Sequence, residues 1–138
     1  MSVFVDTGVF VAFHNTRDTN HNRALELMRG IVDGELGTAY TSDYVFDEAV
    51  TVALVRTRRP ENALAVGRMI LGELTAPFLA ILRVGDDTFK EAWRLFPRYA
   101  GRRLSFTDCT SIALMRRGGI ERIVSFDTDF DGIVPRIS

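Results

Sequence analysis

Short apolar runs alternate with segments of helical periodicity along this chain, and few folds accommodate that alternation. Ser2–Asp6, Gly37–Thr41, Phe78–Val84 and Arg122–Phe126 read as strands, with Ile133–Ile137 a candidate fifth. Thr7–His14 reads as a brief helix or turn leaving the first of them. From Asp18 to Asp33, Ala24, Leu25, Leu27, Met28, Ile31 and Val32 recur at helical spacing, and Gly34 stops the helix. Ser42 or Asp43 caps a helix running to about Arg58, and Pro60 opens a partner helix to about Leu74, so that Asp43–Leu74 forms a helical hairpin. Thr88 with Glu91 makes a capping-box pattern for the next helix, which Pro97 ends or kinks. Ser105 with Asp108 makes a second such pattern, for a helix ended after Arg117 by Gly118-Gly119. Strands separated by helices predict a mostly parallel sheet covered on both faces, an α/β fold. No repeat, low-complexity tract or Pro/Gly-rich linker divides it, so residues 1–138 are expected to form one domain.

Acids stand where this pattern has least use for them. Asp6 ends Ser2-Val3-Phe4-Val5, and Asp127 ends Ile123-Val124-Ser125-Phe126. Glu48 interrupts Tyr44-Val45-Phe46 and Ala49-Val50, and Asp108 opens Cys109…Ile112-Ala113-Leu114-Met115. A carboxylate at the edge of a core is costly to desolvate unless something positive meets it. Several together raise one another's pKa. A hard divalent cation resolves the conflict, since oxygen ligands with room for water are what magnesium or manganese prefers. In parallel sheets, ligands bind at the carboxyl ends of the strands, where Asp6 and Asp127 both fall.

Each acid has an ordinary structural reading beside the functional one. Asp6 suits a strand-to-helix N-cap. Asp108 is explained by its capping box, and that reading is compatible with a ligand because a helix N-terminus favours the anion. Asp43, Asp47, Thr51 and Arg58 form a polar stripe, whereas Glu48 shares a face with Tyr44, Val45, Val52 and Val55. Asp127, Asp129, Asp131 and Gly132 match the opening of a calcium loop, yet Ser138 occupies the position of its bidentate glutamate. Which of Asp127 and Asp129 faces the site stays open. His14 and His21 do not have ligand spacing, and Cys109 reads as core.

Composition narrows the classes. A hydrophobic fraction of 46% and a charged fraction of 25% suit a globular domain, and no apolar run is long enough for a membrane span. Met1-Ser2-Val3 lacks the layout of a signal peptide, and the single cysteine permits neither an internal disulfide nor a cysteine zinc cluster, so a cytoplasmic location is expected. Net charge is −1, but Arg56, Arg58 and Arg59, Arg94, Arg98, Arg102 and Arg103, and Arg116 and Arg117 are clustered.

Taken in order, four segments resemble the PIN-domain family, most closely its VapC-type toxin ribonucleases. They are Phe4-Val5-Asp6-Thr7-Gly8-Val9-Phe10-Val11-Ala12, Thr41-Ser42-Asp43-Tyr44-Val45-Phe46-Asp47-Glu48, Phe106-Thr107-Asp108-Cys109-Thr110-Ser111-Ile112-Ala113 and Ile123-Val124-Ser125-Phe126-Asp127-Thr128-Asp129-Phe130. The resemblance implies a three-layer α/β/α sandwich and magnesium- or manganese-dependent RNA cleavage. It also implies homodimerisation and neutralisation by a small antitoxin protein. Asp6, Glu48, Asp108 and Asp127 would form its acidic cluster, supported by the hydroxyls of Thr7 and Ser125. Ser125 stands where threonine is more usual.

The expected chemistry is in-line attack by a metal-activated water, with Asp6 and Asp108 as first choices for direct ligands. The residues do not say which carboxylate takes the proton, or whether one ion or two are bound. Arg98, Arg102 and Arg103 precede Asp108 and are candidates for guiding an RNA backbone. The hairpin Asp43–Leu74 is a candidate dimer or antitoxin surface. Two other readings remain: a non-catalytic RNA- or protein-binding module, and a dimeric aspartic protease suggested by Asp6-Thr7-Gly8 with Ile70-Leu71-Gly72.

Overall fold

The computed structural model describes residues 1–138. Five strands form one sheet in the order β3-β2-β1-β4-β5. They are β1 (Ser2–Val5), β2 (Thr38–Ser42), β3 (Ala80–Leu82), β4 (Arg122–Val124) and β5 (Arg136–Ile137). Every pairing is parallel, with Phe4 opposite Tyr40 on one side and opposite Ile123 on the other. β1 is therefore central, and Val3, Phe4 and Val5 are fully buried. A strand enclosed on both faces needs a continuous apolar run rather than alternation, which is what this segment supplies.

Helices α1 (Thr7–His14), α2 (His21–Val32), α3 (Asp43–Thr57) and α4 (Pro60–Ile70) connect β1, β2 and β3. Helices α5 (Asp86–Tyr99) and α6 (Phe106–Gly118) return the chain to β4 on the other side of β1. Right-handed crossovers running in opposite directions place the two sets on opposite faces of the sheet, giving the α/β/α sandwich. The core joins both layers: Val9, Phe10, Val45, Ala49 and Val66 belong to one, and Cys109, Ile112, Ala113 and Met115 to the other.

Several boundaries differ from the sequence reading, each for a local reason. The α2 helix starts at His21 because Asp18 closes a side-chain turn, its Oδ1 accepting from the Asn20 N–H at 2.8 Å. Extended Gly85 caps α5, so the Thr88–Glu91 pattern lies inside the helix and Thr88 is buried there. Pro97 neither ends nor interrupts the assigned helix, which continues to Tyr99. The α4 helix stops at Ile70 and β3 covers only Ala80–Leu82 of the expected strand. The α3 core stripe is Val45, Ala49 and Ala53, while Val55 is 69% exposed. The aspartic-protease alternative does not survive this fold, since six helices cover a parallel sheet and Ile70-Leu71-Gly72 lies at the end of α4.

Two backbone positions carry special demands. Gly37 has a φ of 86°, and a Cβ there would overlap the Met1 carbonyl beside the start of β1. Arg58 ends α3 in the left-handed region at φ 56°, a conformation that costs a non-glycine residue about 1 kcal/mol or more. Urea unfolding is expected to show Gly37→Ala losing at least ~2 kcal/mol and Arg58→Gly gaining roughly 0.5 kcal/mol. Equal midpoints for the three proteins would contradict this account.

Candidate metal centre

The order of the strands reverses between β1 and β4, and the ends of those two strands open one cleft. Such a reversal leaves a crevice because the connections from adjacent strands depart in opposite directions. Asp6 follows β1 directly, and its N–H donates to the Val124 carbonyl at 3.0 Å, continuing the ladder to β4. Its carboxylate does not cap α1 as the ordinary reading would have it. Instead, Asp6 Oδ2 accepts from the Ser125 hydroxyl at 2.7 Å, a buried contact joining the two strand ends.

Asp108 enters from α6. Ser105 Oγ accepts from the Asp108 N–H at 3.0 Å, while Asp108 Oδ2 accepts from the Ser105 N–H at 2.9 Å. The expected capping box is thus present, and it occupies one carboxylate oxygen while fixing the side chain at the cleft. Glu48 arrives from α3, whose first turn is capped by Ser42 Oγ accepting from the Val45 N–H at 3.1 Å. Glu48 is half-buried at the cleft and Asp47 is exposed, as the helical phase predicts. Asp127 is turned inward by its neighbours: its N–H donates to Ser125 Oγ at 3.0 Å and its Oδ1 accepts from the Asp129 N–H at 2.8 Å.

Asp6, Glu48, Asp108 and Asp127 line the same cavity of about 360 Å³, with Thr7, Asp18, Asn20, Arg56 and Ser105 among the other polar lining groups. Asp129 does not line it. Asp131 belongs to a separate ion pair, Arg136 Nε donating to Asp131 Oδ1 at 2.8 Å, which removes the calcium-loop reading. The acids surround the cavity rather than touch: no three His, Cys, Asp or Glu side chains are close enough to enclose an ion between them.

Electrostatics mark the site more sharply than distance. Burial pushes Asp6 up to about 6; repulsion from Glu48 and Asp127 adds to this, and hydrogen bonds from Ser125 and Thr7 oppose it. Burial likewise pushes Asp108 up to about 7, with repulsion from Asp6 and Glu48 adding to it. Neither has a salt-bridge partner; the nearby Arg56 faces Asp18 at 4.0 Å. Thr7 Oγ1 is buried without a hydrogen-bond partner. Buried carboxylates without a salt-bridge partner, an orphaned hydroxyl and space for water together suit a hard divalent cation that keeps part of its hydration shell. The same donor set offers no nitrogen or sulfur ligand for zinc: Cys109 is core, and His21 Nδ1 lies 2.8 Å from the Ala12 carbonyl.

Some lining residues were not singled out by the sequence. Asp18 and Asn20 were hidden by reading them as the start of a helix, and Arg56 by grouping it with Arg58 and Arg59 although it shares the helical face of Glu48 and Val52. Conversely, Arg98, Arg102 and Arg103 do not line the cleft, and Arg102 donates to the Asp131 carbonyl at 2.6 Å.

A family model described as PIN domain matches residues 3–134. The chain is 31% identical over 128 residues to the 23S rRNA-specific endonuclease VapC20 of Mycobacterium tuberculosis, covering 93% of this chain and 91% of that protein. It is 23% identical over 131 residues to a VapC ribonuclease of Archaeoglobus fulgidus, covering 94% of this chain and 80% of the other. The crystal structure of M. tuberculosis VapC20, described as a sarcin-ricin loop cleaving toxin, superposes with a TM-score of 0.79 at 30% identity, covering 93% and 92% of the two chains. VapBC2 from Rickettsia felis bound to a promoter DNA fragment shares the fold, with a TM-score of 0.66 at 15% identity and coverage of 99% and 98%.

The two raised carboxylates set a pH dependence. Around neutral pH the folded protein retains protons that the unfolded chain, titrating near 3.8, has already released. Their contribution is fully favourable below about 4 and is lost as pH rises through 6 and 7. In chelator, the thermal midpoint is expected to fall between pH 5 and pH 8, and Asp108→Asn to flatten that fall and raise the midpoint at pH 8 by several degrees. Manganese at pH 8 should raise the midpoint of the parent but far less that of Asp108→Asn. A parent midpoint indifferent to both pH and manganese would contradict the assignment.

Proposed function

This chain belongs to the PIN-domain family, and from that premise we propose that it is a divalent-metal-dependent endoribonuclease acting as the toxin of a type II toxin–antitoxin pair. The observation that carries the reading is the meeting of Asp6, Glu48, Asp108 and Asp127 at one cavity, at the switch point between β1 and β4, with Arg56 turned to Asp18 rather than to the buried pair. Magnesium is the proposed ion, with manganese able to replace it.

Asp6 and Asp108 are the residues proposed to hold the ion, oriented for it by the Ser125 hydroxyl and the Ser105 N–H. Glu48 and Asp127 complete the acidic rim directly or through water. When bound, the ion lowers the pKa of a water and stabilises charge on the scissile phosphate. The chain's own groups do the rest. The Ser125 and Ser105 bonds hold the two aspartates at fixed positions across the cleft. A rim carboxylate accepts the proton of the attacking water. The Thr7 hydroxyl, otherwise unsatisfied, supplies a hydrogen bond to whatever fills the cavity.

An RNA substrate follows from the ribonuclease and 23S rRNA-specific endonuclease names of the relatives, and the sarcin–ricin loop is the first target to test. Small protein antitoxins are the expected partner, and homodimerisation is expected as well. The α3–α4 hairpin is the proposed surface for one of these contacts, since Leu54, Val55 and Leu64 are exposed on it. No helix is long and apolar enough to cross a membrane.

The purified protein is expected to cut a sarcin–ricin stem-loop or another structured RNA in magnesium or manganese and to stop in chelator. Asp108→Asn should lose at least about a thousandfold in rate while keeping its helix, because Ser105 remains the N-cap and an amide oxygen can still accept from the Ser105 N–H. RNA binding without cutting in any metal would favour a non-catalytic binding module. Full activity of Asp108→Asn would overturn the site.

A further inference from the structure

A second cavity, of about 570 Å³, adjoins the acidic cleft and has the opposite character. Eight residues line it and none is hydrophobic. Arg17, Arg56 and Arg59 contribute three positive charges, and no acid is among the lining residues. The residue common to both cavities is Arg56. We propose that this second cavity is a subsite for the phosphodiester backbone of the RNA strand whose neighbouring phosphate is cut in the cleft. The proposal rests on the ribonuclease reading.

The wall is built by two chain reversals. The end of α1 and the turn beyond it contribute His14, Asn15, Thr16 and Arg17, with the Arg17 N–H donating to Asn15 Oδ1 at 3.1 Å. The α3–α4 junction contributes Arg56, Thr57, Arg59 and Asn62. Left-handed Arg58 makes that junction tight, so residues before and after it face the same space. Basic residues at helix carboxyl ends are ordinarily explained by the dipole. The dipole does not explain a wholly hydrophilic cavity without an acid, joined to a cleft rimmed by acids. Nor does it explain His14 Nε2, which is buried there without a hydrogen-bond partner.

The chemistry selects the ligand. A guanidinium forks onto phosphate oxygens, and several along a path match a polymer that repeats that group. A bound cation and an arginine-lined cavity side by side both receive phosphate. One strand crossing from cleft to cavity therefore meets positive charge at successive phosphates. This assigns RNA guidance to Arg17, Arg56 and Arg59 in place of Arg98, Arg102 and Arg103.

The test is binding without cleavage, in magnesium, using Asp108→Asn as the parent and a fluorescent single-stranded oligoribonucleotide as the probe. Arg56 is left in place because it faces Asp18 in the cleft. Adding Arg17→Gln and Arg59→Gln is expected to weaken binding roughly tenfold and make the salt slope shallower by about 1.4, two single-strand phosphate contacts. Arg17→Lys with Arg59→Lys should keep the slope, and all variants should melt together. Unchanged affinity and slope in the glutamine variant, with the parent binding RNA, would overturn the subsite alone. Lost binding of polyglutamate with RNA binding intact would also overturn it, giving the cavity to an acidic protein segment. A parent that binds no RNA would overturn the subsite and withdraw the RNA reading with it.

Discussion

Burying a carboxylate without a counter-charge is the constraint around which the rest of this molecule is arranged. Asp6 follows the central, doubly covered strand, whose end meets that of β4 at the switch point of the sheet. That same coverage removes the water its charge needs, so the pKa rises to about 6. A nearby arginine salt bridge would relieve the cost and occupy the oxygens. The structure instead supplies one hydroxyl, from Ser125, which orients the group and offsets only part of the desolvation. What remains is a site whose folded state a bound cation would improve, since a ligand that binds only the folded state stabilises it.

Local structure and chemistry share atoms at this site. Asp108 Oδ2 closes the capping box of α6, and the other oxygen belongs to the cleft. The Asp127 Oδ1 atom closes a turn over Thr128–Phe130 while its residue lines the same cavity. Caps are short-range and rigid, so they fix a side chain without help from distant contacts. Using them to aim acids gives positional precision on elements whose other residues are core. It also explains why Asp108 and Asp127 each had an ordinary reading when taken singly.

That overlap governs how much was legible in the sequence. The four acids were visible because each breaks an apolar pattern, and Glu48 could be separated from Asp47 by helical phase alone. Parallel topology was visible from the alternation of elements. The α5 start was not, since Thr88 and Glu91 have the right spacing but Gly85 provides the extended backbone that an N-cap requires. Val55 shares the phase of Glu48 but extends beyond the cleft and is exposed, because periodicity identifies a stripe without saying where its cover ends. Arg98, Arg102 and Arg103 are absent from the cleft lining for a topological reason. Arg98, Arg102 and Arg103 precede Asp108 in sequence, yet the chain between them turns away through a 3-10 turn and left-handed Arg103. Arg56 reaches the cleft along the same face of α3 as Glu48 and Val52, a four-residue helical repeat that was overshadowed by its grouping with Arg58 and Arg59.

The α3–α4 hairpin ties these features together physically. Its inner face is small: Ala49, Ala53, Ala63 and Gly67 let the two helices close on the core. Close packing makes the hairpin a stiff unit, so side chains along it hold fixed relations to one another. One direction carries Glu48 to the acidic cleft, the turn carries Arg56 and Arg59 to the basic cavity, and Val55 and Leu64 remain exposed. A net charge of −1 therefore conceals a separation of charge to which this one hairpin contributes on both sides.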